Sequence, residues 1–147
     1  MNTDTQLIIL SRTIAVRHRL DPVLVCAVVD QESSWDTYAM RYEPRFRERY
    51  VADLGLNPTE EIARSISWGL MQVMGQVARE NGFDAKFLSE ICSPEIGLDV
   101  GCIALAKHFR NGCGDIAKVL TLWNGGADPQ YAARVAAKMA RYELASL

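Results

Sequence analysis

The stretch Asp21-Pro22-Val23-Leu24-Val25-Cys26-Ala27-Val28-Val29-Asp30-Gln31-Glu32-Ser33-Ser34-Trp35 constrains the fold more than any other. Asp21 before Pro22 reads as an N-cap followed by proline at the first helical position, where a missing N–H costs nothing. Every residue from Val23 to Val29 is apolar. No face of such a helix suits water, so it is expected to run through the middle of a domain. The run is far too short to cross a bilayer. Counting from Pro22, Glu32 falls on the third turn, at the end where the helix macrodipole disfavours an acid. Beside Trp35, desolvation and the dipole would both destabilise its charged form and raise its pKa. That is the property of a general acid. The competing reading is a glutamate that marks where the helix meets solvent, the common situation for this residue type.

A chain of 147 residues is long enough for one domain with a real core. Net charge is −2 and the pI about 5.7, so there is no electrostatic case for a nucleic-acid surface. Met1 to Gln6 lack a basic region ahead of an apolar core, so no secretory signal is visible, which fits either a chain made without one or an excised domain. Cys26, Cys92, Cys102 and Cys113 form no C-x-x-C pair, so no zinc site is expected, nor any cofactor. Cys26 reads as a small core residue. Disulfide pairing is left open, with reduced thiols favoured by the missing signal. His18 and His108 are tied by no pattern to a cysteine or serine, so a Cys/His hydrolase would need partners that meet only in the fold.

Proline placement predicts a mainly α protein. Asp21-Pro22, Asn57-Pro58, Ser93-Pro94 and Asp128-Pro129 each put a capping residue before proline and announce a helix. Leu7, Ile8, Leu10, Ile14, Ala15 and Leu20 predict an earlier amphipathic helix over Asp4 to Arg19. Arg41 to Tyr50 mixes arginines with tyrosines. It reads as a solvated face whose aliphatic stems cover the core, or as a cleft wall that touches a sugar or carboxylate. Glu43, before Pro44, is pushed toward an extended backbone, with a short helix to follow through Ala52. Ser65 to Met74 leads into a helix ending at Asn81-Gly82, and Gly69 allows a close backbone approach. A helix from Pro94 stops at Asn111-Gly112, another runs from Asp115 through Leu122, and a last one carries Tyr131, Val135, Met139 and Tyr142 at helical spacing. No repeat or linker divides the chain, so residues 1–147 read as a single domain.

Three pieces taken together resemble the motif set of the soluble lytic transglycosylase domain, which shares the lysozyme fold and is related to goose-type lysozymes. They are Glu32-Ser33-Ser34-Trp35, Gly69-Leu70-Met71-Gln72-Val73-Met74 and Trp123-Asn124-Gly125-Gly126, in that order. The resemblance implies a mainly α, lysozyme-like catalytic domain with little or no β structure. It implies cleavage of the β-1,4 bond between N-acetylmuramic acid and N-acetylglucosamine in peptidoglycan. Carried over, Glu32 is the acid that protonates the glycosidic oxygen and then, as base, takes the proton of the muramyl C6 hydroxyl, giving a 1,6-anhydro end. A water-adding glycosidase usually needs two carboxylates; an internal hydroxyl needs only one.

The same resemblance implies substrate contacts at Ser33, Gln72, Trp123, Asn124, Tyr131 and the backbone around Met71. Each has a structural alternative: Asn124 as a turn-holder, Ser33 as a residue that orients the acid or caps the following turn, Tyr131 and Met71 as packing residues. Three departures stand out. Trp123 replaces a tyrosine and removes a phenolic hydroxyl that could bond the acid, leaving stacking. Gly75 replaces a proline, read as a change at the start of the next helix only. The longer segment holding Arg41-Tyr42-Glu43-Pro44 brings Glu43 within reach of the cleft. Met74 stands where goose-type lysozymes carry aspartate, which favours the transglycosylase unless Glu43 is the missing base. The alternatives are therefore a muramidase with Glu43 as base, or a non-catalytic wall-binding module. The expected partner is the glycan strand, met in the cell wall by a monomer with neither nucleic acid nor membrane insertion. A phage lysin or virion-associated enzyme fits, as does a bacterial wall-remodelling domain.

Overall fold

In the computed structural model, residues 3–112 and 114–144 are described. The chain runs α1 (Thr3–Arg17), α2 (Pro22–Ser33), β1 (Met40–Tyr42), α3 (Pro44–Phe46), a π-helix (Arg47–Val51), α4 (Pro58–Arg64), β2 (Ile66–Trp68), β3 (Val73–Met74), α5 (Gly75–Glu80), α6 (Pro94–Asn111), α7 (Ile116–Trp123) and α8 (Tyr131–Leu144). Short 3-10 turns at Ala52–Leu54 and Leu88–Cys92 complete it. The fold is mainly helical.

Helix α2 is the axis. The Asp21 carboxylate accepts from the Val23 N–H at 2.9 Å and starts it. Leu24 to Val29 are wholly buried, and burying each such aliphatic side chain contributes roughly 1.5–3 kcal/mol. Helices α1 and α8 pack along it. The helix stops at Ser34, whose φ of +50° turns the chain left-handed while its N–H still closes on the Asp30 carbonyl at 3.0 Å.

Sequence periodicity did not announce the small antiparallel sheet β1-β2-β3, in which Met40 faces Trp68, Tyr42 faces Ile66, and Ser67 faces Met74. It is confined to strands of two or three residues. Gly69, with φ +70°, starts the turn between β2 and β3, and a Cβ there would sit 2.7 Å from the Ile91 carbonyl oxygen. This is the close approach expected of it.

Three expectations need correcting. The last helix begins at Tyr131, two residues after Pro129, because the Asp128 carboxylate first accepts from the Gln130 N–H in a separate turn. Gly75 does more than alter a helix start: a Cβ on it would lie 2.4 Å from the Ala63 carbonyl oxygen and 2.8 Å from the Arg64 Cα, so α5 and α4 meet backbone to backbone there. Trp35 neither lines the cleft with Glu32 nor bonds its carboxyl. Its indole N–H donates to the Tyr142 hydroxyl at 2.9 Å, with the rings edge to face. Tyr142 in turn donates to Asp30 at 2.7 Å, and Lys138 donates to the same carboxylate at 2.9 Å, so α2 is pinned to α8.

Cys26, Cys92 and Cys102 are free thiols, and Cys113 lies outside the described residues. Among the described residues no helix is long and apolar enough to cross a membrane.

Candidate functional site

A cleft of about 610 Å³ opens beside the end of α2. Glu32 is in its wall, with Arg41 and Glu43 from the β1 edge, Gln72 and Met74 from the β2–β3 turn and β3, and Trp123 and Asn124 from the end of α7. Phe46, Arg49, Tyr50 and His108 also line it.

The Glu32 carboxyl is held asymmetrically. Its Oε1 accepts from the Tyr131 hydroxyl at 2.5 Å and from the Trp123 indole N–H at 3.1 Å. Oε2 accepts nothing from the described residues, yet it is not a sealed-off polar atom. Burial pushes the Glu32 pKa up, and it outweighs the bonds from Tyr131 and Trp123 and the charge of Arg41, which pull the other way. Burial and the neighbouring Glu32 also push the Tyr131 phenol far up, so it stays a donor. The result is a carboxyl that keeps its proton to higher pH than an ordinary glutamate, oriented through one oxygen and open at the other.

The indole of Trp123 therefore does what a phenol in its place was expected to do. Replacing tyrosine by tryptophan was read as losing a polar contact to the acid, but the indole carries its own donor and spends it on Glu32. His108 packs edge-on against the same ring, centroids 6.1 Å apart.

Gln72 holds a left-handed φ of +50°, a conformation that few non-glycine residues adopt. Its amide stabilises that turn. Nε2 donates to the Ala39 and Gly69 carbonyls at 2.9 Å each, while Oε1 accepts from the Ser67 hydroxyl at 2.9 Å. Both N–H groups are thus used within the protein, and a ligand would find only the second lone pair of Oε1.

Ser33 and Met71 are corrections. Ser33 is not part of the cleft wall; its hydroxyl contacts the Leu70 carbonyl at 2.8 Å and the Val29 carbonyl at 3.1 Å, fastening the end of α2 to the β2–β3 turn. Met71 is 0% exposed and absent from the wall, and a Cβ on Gly101 of α6 would lie 2.3 Å from its sulfur. It is a core residue.

Asn124 lines the cleft and reaches the Asp128 carbonyl at 3.5 Å, beyond good hydrogen-bond length. Glu43 lies in the same wall as Glu32, but its Oε1 is taken by the Arg41 Nε at 2.5 Å. Arg49, Tyr50 and Phe46 belong to the mixed arginine–tyrosine segment for which a cleft wall was one of two readings. His108 was considered only as a partner for a cysteine or serine, and nothing in its local sequence marks it as a cleft residue. No cluster of three or more His, Cys, Asp or Glu suited to a metal occurs among the described residues.

Over residues 9–143 the chain matches the transglycosylase SLT domain family. No curated protein and no solved structure matches it.

Proposed function

Because the chain belongs to the transglycosylase SLT domain family, whose activity is of the lytic transglycosylase type on peptidoglycan, we propose that it cuts the β-1,4 bond from N-acetylmuramic acid to N-acetylglucosamine, with Glu32 as both acid and base. The observation that supports this most is the state of the Glu32 carboxyl: in the cleft, with its pKa raised by burial, held at Oε1 and open at Oε2.

That geometry supports the following step. Oε2 carries the proton and gives it to the glycosidic oxygen as the muramyl C1–O bond breaks, so the leaving sugar departs as a neutral alcohol. The bonds from Tyr131 and Trp123 to Oε1 stabilise the carboxylate that forms. The muramyl O6 then bonds to C1, and its proton passes to the carboxylate. The ring closes to a 1,6-anhydro end and the acid is restored. No second carboxylate is required to activate water.

Digestion of purified sacculi followed by mass spectrometry tests this directly. Anhydromuramyl ends are expected; a digest that releases no glycan fragments would leave the wall-binding module as the better account. A second reading has one observation in its favour, since Glu43 shares the cleft with Glu32. It is hydrolysis with Glu43 as base, and reducing muramyl ends, lost on Glu43→Gln, would establish it. The Arg41–Glu43 pair argues against it, because one oxygen of that carboxylate is already taken by the Arg41 guanidinium.

A further inference from the structure

One part of the cleft wall has no role in the chemistry at Glu32. Residues 47–51 wind as a π-helix, closed by the Ala52 N–H on the Arg47 carbonyl. Such wide turns are rare and concentrate at functional sites. This one sends adjacent side chains to different places: Val51 is 1% exposed in the interior, whereas Arg49 and the half-exposed Tyr50 line the cleft. Tyr50 packs on Phe46 with ring centroids 4.9 Å apart, and the Arg49 guanidinium lies over the Tyr50 ring, 5.1 Å from its centre.

The charge of Arg49 is not neutralised. Arg41, the other arginine of the cleft, is bound to Glu43; Arg47 is bound to Glu61. Among the described residues no carboxylate lies within ion-pair distance of Arg49. An arginine laid on an aromatic face keeps its in-plane N–H groups available, the fork that accepts a carboxylate through two parallel bonds. An unpaired arginine on open surface is usually just a solvated side chain. Arg49 differs in being seated on a ring that is itself braced, inside the cleft that holds Glu32.

We propose that Arg49, on its Tyr50–Phe46 base, binds a carboxylate carried by the substrate and so selects anionic glycan strands over neutral ones. This rests on the reading of the cleft as a peptidoglycan site. Peptidoglycan supplies such a group in two forms: the carboxylates of a stem peptide, and the lactyl carboxylate left on muramic acid once the peptide is removed. Oligomers of N-acetylglucosamine have neither.

Equilibrium binding separates these cases, measured on the full chain carrying Glu32→Gln so that ligands stay intact. The three probes are soluble peptide-bearing strands, the same strands stripped by an amidase, and chitohexaose. Adding Arg49→Gln is expected to raise Kd about tenfold for an anionic probe, the worth of a charge-assisted hydrogen bond in a partly solvated site, with chitohexaose changed by less than about twofold. Arg49→Lys is expected to restore only part of the loss, because an ammonium lacks the fork. Weakening confined to peptide-bearing strands assigns the stem peptide, weakening confined to stripped strands assigns the lactyl carboxylate, and weakening of both shows that Arg49 takes either. Unchanged Kd for both, or an equal loss for chitohexaose, overturns the proposal. Product analysis of the wild-type digest reports separately on the underlying reading, so either can fail while the other stands.

Discussion

At Glu32, solvent exclusion and hydrogen bonding oppose one another, and solvent exclusion prevails. A carboxyl whose pKa is raised on folding adds its full stability below the ordinary glutamate pKa, and that contribution is lost as pH rises through the folded value. Glu32→Gln is therefore expected to lower sacculus clearing by about 10²–10⁴-fold while raising the thermal midpoint at neutral pH. The amide oxygen can still accept from Tyr131 and Trp123. The gain should shrink on acidification, where Glu32 is already neutral; a variant less stable than wild type at pH 7 would contradict this. Tyr131→Phe removes a donor that favours the charged form. Its pH–activity profile is expected to keep its shape while the alkaline limb moves to higher pH, and a limb moving down would argue that Tyr131 does not act on Glu32.

Between elements, the cleft depends on places where backbones touch. Gly75 lets α5 lie on the end of α4, and Gly101 makes room in α6 for the Met71 side chain. Gly75→Ala is expected to cost about 3 kcal/mol, seen as a fall of roughly 6–12 °C in melting temperature, because its nearest neighbours are backbone atoms with little room to yield. Gly101→Ala should cost less than Gly75→Ala, since a thioether is more adaptable than a carbonyl. A calorimetric order reversed from this would mean that the helices shift more easily than the side chain. Gly69 and Gln72 complete the set: two left-handed residues frame the β2–β3 turn, one a glycine and the other held by its own amide.

Over the whole molecule, the tie between α2 and α8 sets the response to acid. Burial alone would raise the Asp30 pKa, but bonds from Lys138 and Tyr142 and the charges of Lys138 and Arg141 outweigh it and hold the carboxyl below its usual range. A group of this kind stabilises the fold above the ordinary aspartate pKa and loses that effect as pH falls through the lower folded value. Asp30→Asn is expected to cost about 2 kcal/mol at neutral pH and to flatten the acid limb of stability, measured by urea unfolding from pH 7 to 3. An unaltered acid limb would rule out Asp30 as its source. The helices were legible in the sequence because their signals are local: Asp21, Asn57 and Asp115 each cap as read. The sheet was not, since β1 pairs with a strand some 25 residues away and neither carries a periodic pattern. Among the neighbours expected for Glu32, Trp35 was misplaced for the same reason. The nearby Trp35 gives its indole N–H to Tyr142 of α8, while the tryptophan that bonds the acid is 91 residues distant and Tyr131 is 99. Ser33 and Met71 sit inside motifs of substrate-facing reputation, yet pack and fasten instead.

The single unoccupied oxygen on Glu32 carries one more implication. If that atom lends a hydrogen ion and receives one back within the same turnover, the cycle is neutral toward its medium and takes nothing from the solvent. Bond breaking should then persist in concentrated glycerol or sucrose once viscosity is allowed for, where an enzyme that must capture water as a reactant would slow in step with its scarcity.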